Sequence, residues 1–301
     1  MFSGSLVAII TPMKSDGSLD FAAWDRLLEL HAESGTGGIV VGGTTGESPT
    51  VTEPEQFELL KRARARLAGR VPLIAGLGGS STVHTVERVR RLGEASVDGL
   101  LIVTPAYNKP TQEGLYQHYS ALARAAAAPI ILYNVPARTC VDLLPETVAR
   151  LAKLPGIVAV KEALGKVERI RELCATLPRD FAVLSGDDAT ARESVLAGGR
   201  GVISVTANLF PCAMADMIGA ALRGDAALAA SLDAPLAPLH QALFVEANPI
   251  PVKWAAAELG LIAEGIRLPL TWLSEAHRGR VGAAVREAQR GGARLPAVGA
   301  A

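Results

Sequence analysis

The chain is short of lysine, cysteine, net charge and long apolar runs, and each shortage removes a class of function. Lysine plus arginine and aspartate plus glutamate both total 30, so no net field draws in nucleic acid or an anionic membrane. The three cysteines, Cys140, Cys174 and Cys212, form no C-x-x-C pair and leave one over from any single disulfide, which fits a reducing cytoplasm. All three read as small buried hydrophobes. No stretch approaches the roughly 18 apolar residues of a membrane span, and Met1 to Ser5 lacks the basic segment and apolar core of a signal peptide. A soluble, cytoplasmic protein is expected. The five histidines, His31, His84, His118, His240 and His277, show no ligand spacing, so no metal is expected; His31 and His118 read as packed or surface residues on helix faces. Gly76-Leu77-Gly78-Gly79-Ser80-Ser81 begins like a dinucleotide fingerprint but carries serine in place of the third glycine, and there is no Gly-Lys-Ser/Thr loop.

What the chain has is a repeated strand-then-helix pattern. Leu6 to Thr11 is an apolar run ended by Pro12, followed by Asp16-Gly17 turn chemistry and a helix striped by Phe21, Trp24, Leu27, Leu28 and His31. Gly38 to Val41, the loop Gly42 to Ser48, and a helix opened by the capping box Thr52/Glu55 repeat it. Further strands are expected at 71–75, 99–103, 129–133, 157–161, 181–185 and 201–205. The helices expected after them span 82–93, 112–126, 144–152, 167–176, 188–197 and 211–222. Eight units, with strands apolar on both faces, predict a (β/α)8 TIM barrel over residues 1–224; a doubly wound sheet is the alternative. Residues 225–301 read as a C-terminal helical appendage, with helices near 226–244, 251–259 and 271–290 and a frayed tail from 291.

Only seven lysines stand against 23 arginines, and six of them sit where an ammonium reaches water. Lys161 instead closes the apolar run Gly156-Ile157-Val158-Ala159-Val160-Lys161. Alternation puts Ile157 and Ala159 on its face and Val158, Val160 and Glu162 on the other. Removal from water favours the neutral amine, the form that attacks a carbonyl to give a Schiff base. A lysine that snorkels to the surface from a strand end is the alternative.

In a barrel the loops after the strands meet at one face. That brings together Thr44 and Thr45, Tyr107, Tyr133, Arg138, Lys161, Gly186 and Ile203 with Ser204. An amine, two phenols, two hydroxyls and a guanidinium suit proton transfer on a carbonyl compound that carries a carboxylate. Taken singly, Thr44-Thr45 also fits an ordinary βα turn, Tyr133 a core aromatic, Tyr107 a loop plug and Arg138 a surface ion pair.

The segments Gly43-Thr44-Thr45-Gly46-Glu47-Ser48, Tyr107-Asn108-Lys109-Pro110, Leu132-Tyr133-Asn134-Val135-Pro136, Arg138-Thr139, Val160-Lys161-Glu162-Ala163, Ser185-Gly186-Asp187-Asp188 and Asn248-Pro249-Ile250-Pro251-Val252-Lys253 carry a resemblance. From about residue 2 to about residue 290 the chain resembles the dihydrodipicolinate synthase family, pyruvate-dependent class I aldolases related to N-acetylneuraminate lyase. The resemblance implies condensation of pyruvate with L-aspartate 4-semialdehyde, in lysine and diaminopimelate biosynthesis, with no cofactor beyond the covalent pyruvate imine. It gives Lys161 the imine, Tyr133, Thr44 and Tyr107 the proton relay, Thr45 the pyruvate carboxylate, and Arg138 the carboxylate of the second substrate. Gly186 and Ile203 would lend backbone around the lysine. It also implies a homotetramer built as a dimer of dimers, with Tyr107 reaching the neighbouring subunit's site. Leu164 departs from the serine or threonine frequent after Lys-Glu-Ala. Lysine-sensitive members bind their inhibitor with an acidic residue, an asparagine and a tyrosine; His84, Ser80 and Ala106 stand there in this chain, so weak or absent inhibition is expected. Two other functions compete: a lyase of sialic or deoxy-sugar acids using the same imine, against which Arg138 speaks, and a barrel that only binds a metabolite, against which Lys161, Tyr133 and Thr44 speak.

Overall fold

The computed structural model describes residues 2–294. Eight parallel strands close into a barrel in sequence order: β1 (Gly4–Ala8), β2 (Gly38–Val41), β3 (Leu73–Leu77), β4 (Gly99–Val103), β5 (Ile130–Asn134), β6 (Ile157–Glu162), β7 (Ala182–Ser185) and β8 (Gly201–Ser204), which pairs back with β1. Helices alternate with them: α1 (Phe21–Ala32), α2 (Glu53–Leu67), α3 (Thr82–Gly93), α4 (Gln112–Ala125), the short α5 (Pro136–Thr139), α6 (Pro145–Leu151), α7 (Val167–Thr176), α8 (Ala191–Leu196) and α9 (Pro211–Leu222). The C-terminal region adds α10 (Ala226–Asp233), α11 (Ala237–Ala242), α12 (Ile250–Glu258) and α13 (Glu275–Arg290).

Alternation along each strand divides the core in two. Leu6, Ala8, Val40, Ile74, Leu101, Ile131, Ala159, Leu184 and Ile203 fill the barrel interior. Val7, Ile39, Val41, Leu73, Ile102, Leu132, Val160 and Val183 face the helix ring. Both faces are dry, which is why these strands read as continuous apolar runs. The capping box of α2 forms as expected, with Thr52 Oγ1 accepting from Glu55 N and Thr52 N donating to Glu55.

Several expectations are corrected. β1 ends at Ala8 because the next backbone groups turn to Asn208, whose Oδ1 accepts from Ile10 N at 2.8 Å and whose Nδ2 donates to Ala8 O at 2.9 Å. α8 starts at Ala191 because Asp188 is used elsewhere, its Oδ2 accepting from Val205 N and Thr206 N at 2.9 and 2.8 Å. The helix expected over 226–244 is two helices, broken by Pro235, which cannot donate to the helical ladder. The last helix begins at Glu275 rather than 271. Ile157 faces the outer core and Val158 packs towards the interior, because an irregularity between Ile130 and Ile131 in the β5–β6 pairing resets the alternation; of the pair expected on the face of Lys161, Ala159 is there and Ile157 is not. Cys140 is exposed at a left-handed φ of 58°, and Cys174 and Cys212 are half-buried, so none of the three is a buried hydrophobe. His31 and His118 are packed, against Thr36 and Thr82. Of the frayed tail, Gly291–Arg294 continues the closure of α13, with Ala293 N bonded to Ala288 O; the rest lies outside the described residues.

The helical appendage folds back onto the barrel mouth. Lys253 in α12 is completely buried and paired with Glu47, which sits at a φ of 58° in the loop after β2. This corrects the expectation that every lysine other than Lys161 reaches water. Burial pushes the Lys253 amine down from its ordinary range, and the Glu47 carboxylate opposes that shift. Glu47 also accepts from Arg267 N at 3.1 Å, while the Arg267 guanidinium clamps Glu55 and holds its carboxyl down at about 2.

Candidate active site

The C-terminal ends of β2, β5, β6 and β7 surround a cavity of about 350 Å³. Thr44, Thr45, Tyr133, Arg138, Lys161 and Gly186 line it together, although they are spread over nearly half the sequence. Ala8, Leu101, Val135 and Val205 make its walls apolar. A cavity of this size, apolar with a few converging polar groups, suits a small metabolite.

Lys161 is 5% exposed. Strand register places it directly beside Tyr133, and its Nζ lies 4.4 Å from the centroid of the Tyr133 ring. The surface-snorkelling alternative is thereby excluded; Tyr133, 7% exposed, belongs to the inner core and also lines the cavity. Space around the amine depends on Gly186. A Cβ at that position would stand 2.6 Å from Ala163 Cβ and 2.9 Å from Lys161 Cε, so the residue is glycine for room, not for backbone conformation. Ile203 lies beneath the cavity as part of the barrel interior and does not line it.

Thr44 and Thr45 belong to a tight loop in which Gly46 N and Ser48 N donate to Gly43 O and Glu47 N donates to Thr44 O. The buried Glu47–Lys253 pair anchors this loop from outside. Arg138 stands on α5, a single helical turn that the sequence did not announce, and its Nη2 donates to Asn248 O at 3.2 Å. Tyr107 is kept furthest from water-free surroundings of all the candidates. It is 93% exposed, holds a φ of 73°, and is not among the residues lining the cavity of its own chain.

Three lining residues with polar or aromatic side chains were not among the candidates. Asn248 comes from the segment before α12, is 6% exposed, and its Nδ2 donates to Thr45 Oγ1 at 3.0 Å, leaving the threonine proton free to point elsewhere. Phe244, 47% exposed, stands at the mouth, and Asp187 follows Gly186 at the rim. Asn248 belongs to a segment that carries the family resemblance and Phe244 ends the helix expected over 226–244, but only the fold-back of the appendage places their side chains in the cavity. Among the described residues no cluster of three or more His, Cys, Asp or Glu is arranged to hold a metal ion, and no helix is long and apolar enough to cross a membrane.

Comparison with known proteins gives one consistent result. Residues 1–288 match the model of the dihydrodipicolinate synthetase family. The 4-hydroxy-tetrahydrodipicolinate synthase of Ectopseudomonas mendocina is 54% identical over 274 residues, 91% of this chain and 94% of the relative. That of Methylococcus capsulatus is 54% identical over 288 residues, 96% of this chain and 99% of the relative. Among solved structures, the chloride-inhibited dihydrodipicolinate synthase from Acinetobacter baumannii complexed with pyruvate superposes with a TM-score of 0.94 at 48% identity, covering 96% of this chain and 99% of that one. A barrel closed in sequence order, a lysine at the end of its sixth strand and these relatives lead to one assignment: the chain belongs to the dihydrodipicolinate synthetase family.

Proposed function

We propose that this chain is a 4-hydroxy-tetrahydrodipicolinate synthase, a lyase that condenses pyruvate with L-aspartate 4-semialdehyde in lysine and diaminopimelate biosynthesis. The observation that carries the reading is the buried Lys161 amine beside Tyr133, in a cavity that also holds two threonine hydroxyls and one guanidinium. The relatives' shared name supports the same reaction.

In this reading the Lys161 amine adds to the C2 carbonyl of pyruvate, and loss of water leaves an imine. That imine is the only covalent carrier the reaction needs, so no metal or organic cofactor enters. Removal of a C3 proton gives an enamine, which attacks the aldehyde carbon of the second substrate and forms the new carbon–carbon bond. The substrate's own amine then adds at C2 and expels Lys161, closing the ring. Tyr133 and Thr44 move protons at these steps. Thr45, its hydroxyl oxygen already accepting from Asn248, donates to the pyruvate carboxylate, and Arg138 at the rim holds the carboxylate of the semialdehyde. Gly186 leaves room for the imine, and Ile203 packs beneath it in the barrel interior.

Tyr107 completes the relay from a neighbouring subunit, which is why so exposed a phenol stands on a strained backbone. The assembly is a homotetramer built as a dimer of dimers and works in the cytoplasm. Inhibition by L-lysine is weak or absent. The experiment is borohydride reduction in the presence of pyruvate followed by peptide mapping. A single stable adduct at Lys161 is expected, and the Lys161→Ala variant stays folded and unlabelled. Label on Lys253, the other buried lysine, or on none, overturns the mechanism.

A further inference from the structure

Behind the cavity, on the opposite face of β5 and β6, lies a polar cluster that the reaction above leaves unused. Asn134 follows Tyr133 and Glu162 follows Lys161, and the register pairs Asn134 with Glu162 as it pairs their neighbours. Alternation turns both side chains out of the barrel into the layer under the helices, where Asn134 is 0% and Glu162 2% exposed. The Glu162 carboxylate accepts from Asn134 Nδ2 at 3.0 and 3.2 Å and from Leu164 N at 2.9 Å, with Arg169 Nη1 at 3.7 Å. Asp142 accepts from the same Asn134 Nδ2 at 2.7 Å and from both terminal nitrogens of Arg169 at 2.9 and 3.1 Å. Asn134 Oδ1 accepts from Leu143 N at 2.9 Å.

The groups that bond Glu162 directly are all donors, so an acceptor-only carboxylate fits and an amide does not. Two carboxylates nevertheless share one guanidinium here. Burial pushes the Glu162 carboxyl above its ordinary range against the pull of Asn134, Leu164 N and Arg169. Burial also pushes Asp142 up, but its bonds to Arg169 and Asn134 outweigh it and leave that group lowered. Such a cluster is a poor source of stability, because desolvation offsets most of the ionic attraction, and the other outward positions on these strands, Leu132 and Val160, are apolar. What it does is connect three segments: the end of β5 with Tyr133, the end of β6 with Lys161, and the chain from Arg138 through Asp142.

We infer that Glu162 is a positioning residue of the aldol reaction, an acceptor that locks the end of β6 to the end of β5 and so fixes the Lys161 amine against the Tyr133 phenol. The inference rests on the imine reading of Lys161. Its test is the rate of borohydride-trapped pyruvate incorporation at Lys161 in the full-length chain, beside thermal stability, kcat and the pyruvate KM. Glu162→Gln places a donor among donors; trapping and kcat fall about tenfold to a hundredfold, as a displacement of about 1 Å does, while the pyruvate KM moves little. Glu162→Asp stays acceptor-only and retains more of both rates than the amide variant. Trp24→Phe, which removes a buried hydrogen bond to Leu59 O on the far side of the barrel, lowers stability without slowing trapping. If Glu162→Gln does not fold, Glu162→Asp carries the comparison, its trapping expected below wild type at temperatures well under its melting point. Trapping at the wild-type rate in the folded variants, or an equal slowing in Trp24→Phe, overturns the inference alone. A wild-type chain that traps nothing at Lys161 overturns the reading beneath it.

Discussion

Gly186→Ala tests how closely the walls hold the lysine. The added methyl would stand 2.6 Å from Ala163 Cβ, 2.9 Å from Lys161 Cε and 3.1 Å from Ala163 Cα, where carbon atoms prefer about 3.5–4.0 Å. Ala163 cannot retreat easily, since its N donates to Asn134 O at 2.9 Å, and Gly186 N is itself bonded to Glu162 O at 2.8 Å. The strain is shared between a backbone shift and a deflection of the lysine. Overpacking of this kind costs about 1–3 kcal/mol of stability. A deflected amine adds a loss of about tenfold to a hundredfold in imine formation. Thermal unfolding reads the first and borohydride trapping with pyruvate the second. Adding Ala163→Gly removes the 2.6 Å contact but not the one to Cε, so the double variant regains stability and still traps slowly. Wild-type trapping and stability in Gly186→Ala would refute the claim that this glycine is required for space.

Two further outcomes follow from the site and the core. Arg138→Ala leaves pyruvate trapping intact but lowers kcat/KM for the semialdehyde about tenfold to a hundredfold, the worth of a charge-assisted hydrogen bond; steady-state kinetics with each substrate varied checks it, and a collapse of trapping would make Arg138 structural. His31 is completely buried, and burial alone lowers its pKa from 6.5 to about 3. The unfolded state therefore binds the proton first, so stability is full above about pH 6.5 and is lost as pH falls towards 3, by about 1.4 kcal/mol per unit. His118, lowered to about 4, acts in the same direction. Urea denaturation across this window should give a shallower slope for His31→Gln than for wild type, and equal slopes would refute the assignment.

The barrel was legible because its strands are buried on both faces and its loops carry turn and cap chemistry: Gly38 to Val41, Gly99 to Val103 and the Thr52/Glu55 box fall where the pattern put them. Lys161 was legible for the same reason, as a charge closing an apolar run. Lys253 was not. In Pro251-Val252-Lys253-Trp254-Ala255-Ala256 a helical lysine looks able to reach water, and only tertiary contact with Glu47 buries it. Ile157 was misassigned because strict alternation has no way to announce a bulge. Pro235 marked the break between α10 and α11 openly, whereas Asn248 reaches Thr45 across 203 residues of sequence that no local pattern bridges.

The fold itself speaks against a response to L-lysine. Glu53, at the start of α2, is the neighbouring carboxylate that could supply the negative charge His84 does not. In the fold it is already engaged, with Arg91 at 2.7 Å and Arg88 at 3.2 Å, so an incoming ammonium would have to displace a guanidinium. Gln56 is no more available: it is 3% exposed, its Nε2 donates to Gly76 O at 2.6 Å, and its Oε1 accepts from Arg88 at 3.1 Å. Ser80 Oγ donates to Ala106 O at 2.8 Å, so its hydroxyl is turned towards its neighbour's backbone, and the methyl of Ala106 offers no aromatic wall. His84 is exposed on the first turn of α3 and brings no negative charge. One missing charge-assisted hydrogen bond is worth about 1.5–3 kcal/mol, roughly ten- to a hundredfold in affinity, and here no neighbour offsets it. Lysine titrated into a coupled assay should leave activity nearly unchanged up to millimolar concentrations, and Ser80→Asn, His84→Glu and Ala106→Tyr combined should create inhibition. Half-inhibition of the wild type below about 1 mM, an affinity of roughly 4 kcal/mol, would mean that other groups hold the inhibitor.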